Sequence, residues 1–495
     1  MDEPVCTTRQ GDVRGEAGPG GSAVFRGIPY AAPPFGALRF MAPQPPARWD
    51  GVREATAFGA TAPKGPYAPP FDVLLPDPDI AGEDCLNLNV WTPDTDGAAP
   101  VMVWLHGGAF MNGSGSLPLY DGAAFARDGV VCVTANYRLG ADGYLTLPGA
   151  PDNRGVLDQI AALEWVRDNI AAFGGDPAWV TVFGESAGAM SIGVLLTAPG
   201  ARGLFHRAIL QSGAAHHSIG PETARMVAAR FAANLGVEPT MAGIGSVPLD
   251  RLLPAQTALR AQVTADPDPR IWGEAALNAM PFEPVAGTAS TAAVGATMPG
   301  ADCGVQLLIG TTTEEYRLFT VPSGVIDFID DTRLRAGAAR HGLDPATALP
   351  VYAAARPGAT PGDLYSAALT DWFFRIPAIR LAEAVPGSHL YEFGRRSTAY
   401  EGRLGACHAS EIAFAFDNLA APGESGLLGA APPQPLADAM HAAWVAFATT
   451  GDPGWPAYDT ADRTTMVFGT ADEPVRVGPV RDPRAEERAL WDGVR

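Results

Sequence analysis

Short runs of apolar residues, spaced along the chain, predict the strands of a buried sheet. Several runs are continuous rather than alternating, which is typical of strands covered on both faces of a mostly parallel sheet. The runs lie at residues 101–105, 130–133, 180–183, 208–210 and 305–309, with a mixed and also extended run at 389–393.

Helical patterns lie between these runs, and the clearest spans residues 158–173. Its apolar positions Ile160, Leu163, Val166 and Ile170 share one helix face, and a Gly-Gly pair follows as a stop signal. Alternating strands and helices indicate the α/β class, with a mostly parallel central sheet and helices on both faces.

The domain organisation is predicted to be a single unit over residues 1–495. Residues 1–80 are rich in Pro and Gly and indicate an irregular N-terminal wrapping, whereas residues 215–300 and 320–385 are Ala-rich and helical. We expect the two helical stretches to be cap-like insertions at the sheet edge. No internal repeat or low-complexity linker divides the chain.

The charge balance excludes several classes of protein. The 34 basic and 54 acidic residues give a net charge of −20, which argues against a nucleic-acid partner. Lys64 is the only lysine and lies between Pro63 and Gly65, so a Walker A loop is impossible. A pyridoxal phosphate Schiff base would also have to use that one residue.

Cysteines, histidines and the N-terminus bear on compartment and metals. The five cysteines are scattered without a CxxC pair, and the first residues lack the basic and apolar regions of a signal peptide. No run reaches the roughly 18–20 apolar residues of a membrane span. We therefore expect a reduced, cytoplasmic protein without membrane association. His206, His216 and His217 lack a carboxylate at ligand spacing, so no metal is predicted.

A Gly-x-Ser-x-Gly motif indicates a nucleophilic serine. Gly184-Glu185-Ser186-Ala187-Gly188 follows an apolar strand directly and precedes an apolar stretch that can begin a helix. A serine at such a strand-to-helix turn is a nucleophile elbow, and a Cβ two residues away on either side would collide with the neighbouring strand and helix. A near miss of the motif, Gly423-Glu424-Ser425-Gly426-Leu427, has no strand before it and predicts a surface turn.

A second motif predicts an oxyanion hole, although alone it is equally typical of a tight turn. His106-Gly107-Gly108-Ala109-Phe110 follows the apolar run at 101–105. Glycines there let backbone N–H groups approach a reacting oxygen. We expect the N–H groups of Gly108, Ala109 and Ala187 to point at one position.

These motifs and others, in the same order along the chain, resemble the type-B carboxylesterases, an α/β-hydrolase family that includes bacterial p-nitrobenzyl esterases and cholinesterases. The resemblance weakens at about 220–300 and 320–365. It implies the α/β-hydrolase fold and a serine esterase activity without a cofactor. The other matching segments lie at residues 25–34, 83–93, 136–138, 157–177, 210–213, 281–285 and 444–456.

The resemblance also indicates the partners of Ser186. His408 lies in a segment like that of the family's catalytic histidine, and Glu315 matches the triad acid. The family's Asp-Glu-Gly is here Glu314-Glu315-Tyr316, which leaves Glu314 as the alternative acid and puts the backbone at Tyr316 in question.

Two further family positions bear on the surroundings of the site. Glu185 matches a buried carboxylate near the active site, and Ser212 is expected in the same network, with plain packing as the alternative for both. Cys85 matches a disulfide cysteine of secreted relatives, but residues 50–84 contain no partner for it.

The sequence therefore predicts a serine carboxylesterase for small-molecule esters of short to medium acyl groups, as a monomer or homodimer. Amidase or thioesterase activity on the same triad, and a catalytically idle binding protein, are the alternatives. An aromatic set indicates either an acyl pocket or core packing: Trp272, Phe319, Trp372, Phe373 and Phe374.

Overall fold

The computed structural model describes residues 3–288, 303–423 and 425–494. The strands among them are β1 Val5–Thr7, β2 Asp12–Arg14, β3 Glu16–Ala17, β4 Ala23–Pro29, β5 Val52–Glu54, β6 Asn87–Thr92, β7 Ala99–Leu105, β8 Val131–Ala135, β9 Gly175–Glu185, β10 Arg207–Gln211, β11 Gln306–Thr312, β12 His389–Phe393, β13 Thr464–Phe468 and β14 Val477–Arg481.

Helices fill most of the intervals between the strands, and a π-helical turn at Asp371–Arg375 joins two of them. The helices are α1 Ala123–Arg127, α2 Gly140–Tyr144, α3 Arg154–Asn169, α4 Ala187–Leu195, α5 Pro221–Leu235, α6 Met241–Gly245, α7 Leu249–Ala265, α8 Pro269–Trp272, α9 Ala275–Asn278, α10 Arg317–Thr320, α11 Asp331–Arg340, α12 Pro345–Ala354, α13 Pro361–Thr370, α14 Ile376–Ala384, α15 Ile412–Ala415, α16 Ser425–Leu428, α17 Gln434–Thr450 and α18 Ala485–Ala489.

The central sheet has the strand order β14-β13-β12-β11-β10-β9-β7-β8-β6-β4-β3. From β8 across to β13 all neighbours pair in parallel, and the outer strands on both sides pair antiparallel. The carboxyl ends of β7, β9, β10 and β11 therefore meet at one edge of the sheet. Residues that follow those strands are brought together there, as parallel α/β sheets require of their sites.

Alternate residues of one strand enter two separate apolar cores, so both sheet faces are covered. In β7, Val101, Val103 and Leu105 belong to a core with α3 and α4, whereas Met102 and Trp104 belong to a core with α15 and α17. All five side chains are fully buried. The predicted α/β class with a mostly parallel sheet is confirmed.

Local rules explain where the sequence patterns and the elements differ. The helix predicted at 158–173 begins four residues earlier, at Arg154, and its last turn, Ile170–Phe173, is a 3-10 turn that ends at Gly174 with φ 73°. The strand β4 lies within residues 1–80, which the composition indicates to be irregular. A bulge at Gly27, with φ 68°, breaks its alternation and hides it from a pattern search.

The two stretches predicted as cap-like insertions are helical where they are described. Residues 215–288 carry α5 to α9, and residues 320–385 carry α11 to α14 with the π-helical turn. Among the residues that the structure describes, no helix is both long and apolar enough to cross a membrane.

Candidate active site

Ser186 occupies a strained turn between β9 and α4. Its backbone has φ 53° and ψ −123°, a conformation that a residue with a Cβ rarely adopts. The turn is held on both sides, because the N–H of Ser186 donates to Gln211 O at 2.9 Å and its carbonyl accepts from Met190 N at 2.8 Å. Ser186 remains partly exposed between buried neighbours.

The two glycines of the motif have the steric role that the sequence predicts. A Cβ at Gly184 would lie 2.6 Å from the carbonyl oxygen of Leu105, and one at Gly188 only 1.9 Å from the same oxygen. Both distances are shorter than a van der Waals contact. The elbow can therefore pack against β7 only with glycine at these positions.

The loop after β7 supplies free backbone donors beside the elbow. Gly108 has φ 116° and Ala109 has φ 53°, and Gly108 O accepts from Asn112 N at 2.9 Å, which curls the loop back on itself. The N–H groups of Gly108, Ala109 and Ala187 donate no hydrogen bond to any described residue. Unpaired N–H groups of this kind can stabilise an oxyanion.

A buried ion pair holds the far end of this loop. Lys64 Nζ pairs with Asp77 and donates to Gly113 O at 3.0 Å, and Asp77 accepts from Gly113 N at 3.1 Å. The Lys64 and Asp77 side chains are only 2% and 6% exposed. No local pattern predicts this role for the single lysine, since the two partners are 13 residues apart without a motif.

His408 and Glu315 come together at the end of β11. His408 Nδ1 lies 2.7 Å from Glu315 Oε2, and the other carboxylate oxygen accepts from Thr312 N at 2.9 Å. The side chain of Glu315 is fully buried and that of His408 is 6% exposed. A carboxylate in this position fixes the proton on Nδ1 and leaves Nε2 as the basic nitrogen.

The neighbouring carboxylate, Glu314, contacts groups other than the imidazole. It lies 2.9 Å from the guanidinium of Arg317 and accepts from Ala406 N at 3.0 Å. Tyr316, which replaces the family's glycine, has φ −71° and is unstrained. The structure thus places Glu315, and not Glu314, against the imidazole.

A second carboxyl group faces the other nitrogen of the ring. Glu185 Oε1 lies 3.0 Å from His408 Nε2 but forms no hydrogen bond with it. Burial, and to a smaller degree the charge of Glu315, raise the pKa of Glu185 well above its usual value. The structure shows no hydrogen bond between Ser186 Oγ and His408, a bond that is often long before a substrate binds.

A third carboxyl group, Glu411, completes this network and was missed by sequence reasoning. Ser212 Oγ donates to Glu411 Oε1 at 3.1 Å, which places the predicted Ser212 in a hydrogen bond. Burial, then the charges of Glu185 and Glu315, raise the pKa of Glu411 to about 8. Its position three residues after His408 is the only signal that the sequence carries.

The aromatic set divides between the site and the core. The rings of Phe319 and Phe374 lie 5.4 and 4.7 Å from the imidazole of His408, and Phe319 is partly exposed. Phe374 is presented by the π-helical turn, a feature often found at functional sites. Trp372 packs instead on the ring of His341, and Trp272 lies beneath a guanidinium on α5.

The other residues considered as nucleophiles or metal ligands lie in surroundings that favour a structural role. Cys407 is fully buried, and burial raises the pKa of its thiol well beyond the reach of neutral pH. Ser425 begins a four-residue helix with no strand before it. No group of three or more His, Cys, Asp or Glu side chains that could hold a metal occurs within residues 3–288, 303–423 and 425–494.

The strand order, the elbow and the residues gathered at the sheet edge are those of an α/β-hydrolase. The sequence matches the carboxylesterase family over residues 2–482, so the chain belongs to this family. It is 38% identical to the para-nitrobenzyl esterase of Bacillus subtilis (strain 168), over 99% of this chain and 98% of that one. It is 35% identical to the phenmedipham hydrolase of Pseudarthrobacter oxydans, over 95% and 96% of the two chains.

Solved structures that superpose on this chain are also carboxylesterases. A carboxylesterase of Geobacillus stearothermophilus superposes with a TM-score of 0.80 at 37% identity, covering 98% of this chain and 99% of that one. A PNB esterase superposes with a TM-score of 0.81 at 35% identity, covering 99% of both chains. Membership in this family makes the chain a carboxylic ester hydrolase.

Proposed function

We propose that Ser186, His408 and Glu315 hydrolyse small-molecule carboxylic esters through an acyl-serine intermediate. The observation that carries this proposal is the 2.7 Å contact between His408 and Glu315 at the sheet edge that also presents the strained Ser186. The three roles are those of nucleophile, general base and orienting carboxylate. No cofactor takes part in this reaction.

In the acylation step, His408 Nε2 removes the proton of Ser186 Oγ while Oγ attacks the ester carbonyl carbon. The carbonyl oxygen becomes an oxyanion, which accepts hydrogen bonds from the N–H groups of Gly108, Ala109 and Ala187. Removal of one such donor typically costs about 10²–10³ in rate. The C–O bond to the alcohol then breaks, and the imidazolium gives its proton to the leaving alkoxide.

In the deacylation step, His408 removes a proton from water, and the hydroxide attacks the acyl carbon. The same N–H groups hold the second oxyanion. When the C–O bond to Ser186 breaks, the imidazolium returns its proton to Oγ, which frees the carboxylic acid and restores the enzyme.

Glu185 and Glu411 act in this scheme as proton-holding carboxyl groups around the imidazole. Their raised pKa values keep them neutral at a pH where Glu315 is needed as the anion. Glu185 is then free of repulsion with Glu315 and orients the Nε2 side of the ring. We assign it a positioning role.

The proposal also covers the helices outside the sheet, the cellular location and the oligomeric state. We infer that the helices described within residues 215–288 and 320–385 shape the substrate cavity. A reduced, cytoplasmic location is supported by five cysteines that are all free, Cys85 among them. A monomer or homodimer is proposed, and light scattering of the purified protein measures it.

The test is hydrolysis of p-nitrophenyl esters from acetate to palmitate by the native chain, Ser186→Ala and Ser425→Ala. The second serine lies in Gly423-Glu424-Ser425-Gly426-Leu427, which comes close to the motif but lacks its second glycine, and it is the control. Fastest turnover at short to medium acyl chains, lost in Ser186→Ala and kept in Ser425→Ala, is expected. Undiminished hydrolysis by Ser186→Ala would contradict the proposal, and p-nitroanilides and thioesters of the preferred acyl group measure amidase and thioesterase activity.

A further inference from the structure

A segment outside the sheet runs beside the loop after β7 and is bonded to the end of that loop. We call this segment, residues 64–77, the strap. Gly65 O accepts a hydrogen bond from Asn112 Nδ2 at 2.7 Å, and Asp77 Oδ2 accepts one from the same nitrogen at 3.3 Å. Asp77 Oδ2 also accepts from Gly113 N at 3.1 Å. One carboxylate of the strap therefore holds two consecutive residues of the loop.

These bonds are formed away from water. Asn112 is 8% exposed, and the side chain of Asp77 is 6% exposed. Lys64, which is also buried, pairs with Asp77 and donates to Gly113 O, so the buried carboxylate is compensated in place. A buried polar group that loses its partner cannot recover the bond from solvent. The strap and the loop are therefore held in one fixed arrangement.

Asn112 also closes the turn that carries the free N–H groups. Its N–H donates to Gly108 O at 2.9 Å, and a Cβ at Gly108 would lie 2.1 Å from Asn112 O. Gly108, Ala109 and Phe110 all have positive φ, of 116°, 53° and 60°. Residues with a Cβ keep such angles only where the surrounding structure enforces them. This turn is held from two sides, at Phe110 O by Gly140 N at 2.7 Å and at Asn112 by the strap.

The same loop lies directly against the nucleophile. A Cβ at Gly107 would lie 3.1 Å from Ser186 Cβ. Ser186 is anchored separately, because its N–H donates to Gln211 O at the end of β10. The distance between Ser186 and the N–H groups of Gly108 and Ala109 therefore depends on two different anchors, one of which is the strap.

An oxyanion depends on this distance more than an uncharged carbonyl does. Fixed donors in a site that excludes water stabilise developing negative charge strongly and bind the ground-state carbonyl weakly. A misplacement of about 1 Å can cost about 10²-fold in rate. Release of the loop from the strap should therefore weaken binding of the tetrahedral intermediate and leave binding of the substrate unchanged.

We propose that Asn112 and Asp77 are positioning residues for the oxyanion hole. They transfer no proton and act through the loop after β7, which they hold so that the N–H groups of Gly108 and Ala109 meet the oxyanion. This inference rests on the function proposed above. It assigns part of the transition-state stabilisation to a segment outside the sheet.

The test uses a trifluoromethyl ketone, which mimics the tetrahedral intermediate. When 1,1,1-trifluorooctan-2-one reacts, Ser186 Oγ bonds to the carbonyl carbon, the π electrons move to the carbonyl oxygen, and the proton of Oγ passes to His408 Nε2. The hemiketal oxyanion then takes the place of the oxyanion of hydrolysis. Octan-2-one has the same chain but binds as the uncharged ketone, so it reports ground-state binding.

The enzymes are the native chain, Asn112→Ala, Asp77→Asn and Asn169→Ala. Asn169, at the end of α3, is the matched control because it is also a buried asparagine, 5% exposed, with hydrogen bonds to the backbone. Its Nδ2 donates to Trp165 O at 2.9 Å, and its Oδ1 accepts from Arg9 N at 2.8 Å. The melting temperature shows which variants are folded, and Asp77→Asn is the second variant should Asn112→Ala fail to fold.

Asn112→Ala should lower kcat/KM for p-nitrophenyl hexanoate by about 10- to 100-fold, chiefly through kcat, because both reaction steps pass through an oxyanion. It should weaken inhibition by the trifluoromethyl ketone by the same factor and change inhibition by octan-2-one by less than about threefold. Asp77→Asn should act in the same direction. Asn169→Ala should leave all three quantities within about threefold, even where its melting temperature falls as far.

Unchanged hydrolysis and unchanged inhibition in folded Asn112→Ala or Asp77→Asn would overturn this inference and leave the esterase mechanism intact. Equal weakening of both ketones would also overturn it, because the strap would then support the binding site as a whole. A folded native enzyme that neither hydrolyses p-nitrophenyl hexanoate nor binds the trifluoromethyl ketone would overturn the proposed function, and this inference with it.

Discussion

The residues proposed for catalysis stand on loops that leave the central sheet, whereas the aromatic rings beside His408 come from helices outside the sheet. We call the first group the sheet loops, residues 106–113, 184–188 and 312–316. We call the second the cap helices, α10 and the π-helical turn Asp371–Arg375. In the sheet loops the backbone itself is constrained. Ser186 has a positive φ, and a Cβ at Gly188 would lie 1.9 Å from the carbonyl oxygen of Leu105.

The cap helices follow other rules. They present side chains, such as Phe374 on the π-helical turn, and a different side chain would fit the same backbone. The comparison indicates that the sheet loops fix the reaction and the cap helices select the substrate. Changes in the first group should affect all esters alike, and changes in the second should alter the preference among esters.

The largest effect is expected at the carboxylate of the sheet loops. Glu315→Gln keeps the shape but removes the charge that fixes the tautomer of His408, so kcat should fall by about 10³–10⁴ on every ester. Glu314→Gln is the matched control and should stay within about threefold. Steady-state kinetics on one good ester measures both, and a larger loss in Glu314→Gln would contradict the assignment of the acid.

The next largest effect is expected on the stability of the fold, at the buried ion pair that holds the loop after β7. Lys64→Met leaves Asp77 buried without its cation and should lower the free energy of unfolding by about 3–5 kcal/mol. Arg403→Met breaks an exposed pair with Asp327, 47% and 59% exposed, and should cost less than about 1 kcal/mol. Denaturant unfolding compares the two, and equal losses would show that the buried pair has no special role.

A smaller effect is expected from the elbow glycine. Gly188→Ala forces a Cβ against the carbonyl of Leu105 and should destabilise the fold by about 1–3 kcal/mol, with a loss of activity on all esters. Gly478→Ala meets no atom within 4 Å and serves as the control. If Gly188→Ala melted and reacted like the native enzyme, the packing account of the elbow would be wrong.

A substitution among the aromatic rings beside His408 should separate the two regions most clearly. Phe319→Leu removes part of an aromatic surface beside His408 and should change the ratio of kcat/KM for short and long acyl esters by about tenfold. Phe328→Leu, at a position 72% exposed, should leave that ratio unchanged. A uniform loss on all chain lengths in Phe319→Leu would place Phe319 with the sheet loops.

The smallest effect is a change in the pH dependence of stability. Glu411 keeps its proton up to about pH 8 in the folded state, whereas an exposed glutamate loses it near pH 4.5. Between these values the folded state binds more protons, so the free energy of unfolding should fall as the pH rises. Glu411→Gln should make this fall shallower, and an unchanged slope would contradict the raised pKa.

Sequence patterns indicate the sheet loops because backbone geometry restricts them to few residue types. The glycines at 184 and 188 and the strand before Ser186 could be recognised locally. The strand β4 escaped because a bulge at Gly27 breaks its alternation. Glu411 and the pair of Lys64 with Asp77 escaped because burial and distant contacts, rather than any local pattern, give them their roles.

The cap helices were foreseen as helices but not as binding surfaces. Periodicity predicts helices in residues 215–300 and 320–385, yet it does not show which of their side chains face the reacting groups. Phe319 and Phe374 could equally have been core residues until the structure placed their rings against His408.

The central claim is that Ser186 is the nucleophile, and covalent labelling tests it most directly. The native chain is treated with a p-nitrophenyl alkylphosphonate, and the adduct is located by peptide mass spectrometry. We expect one adduct per chain, on the peptide that contains Ser186, together with a matching loss of esterase activity and no labelling of Ser186→Ala. An adduct on another residue, or equal labelling of Ser186→Ala, would contradict the account.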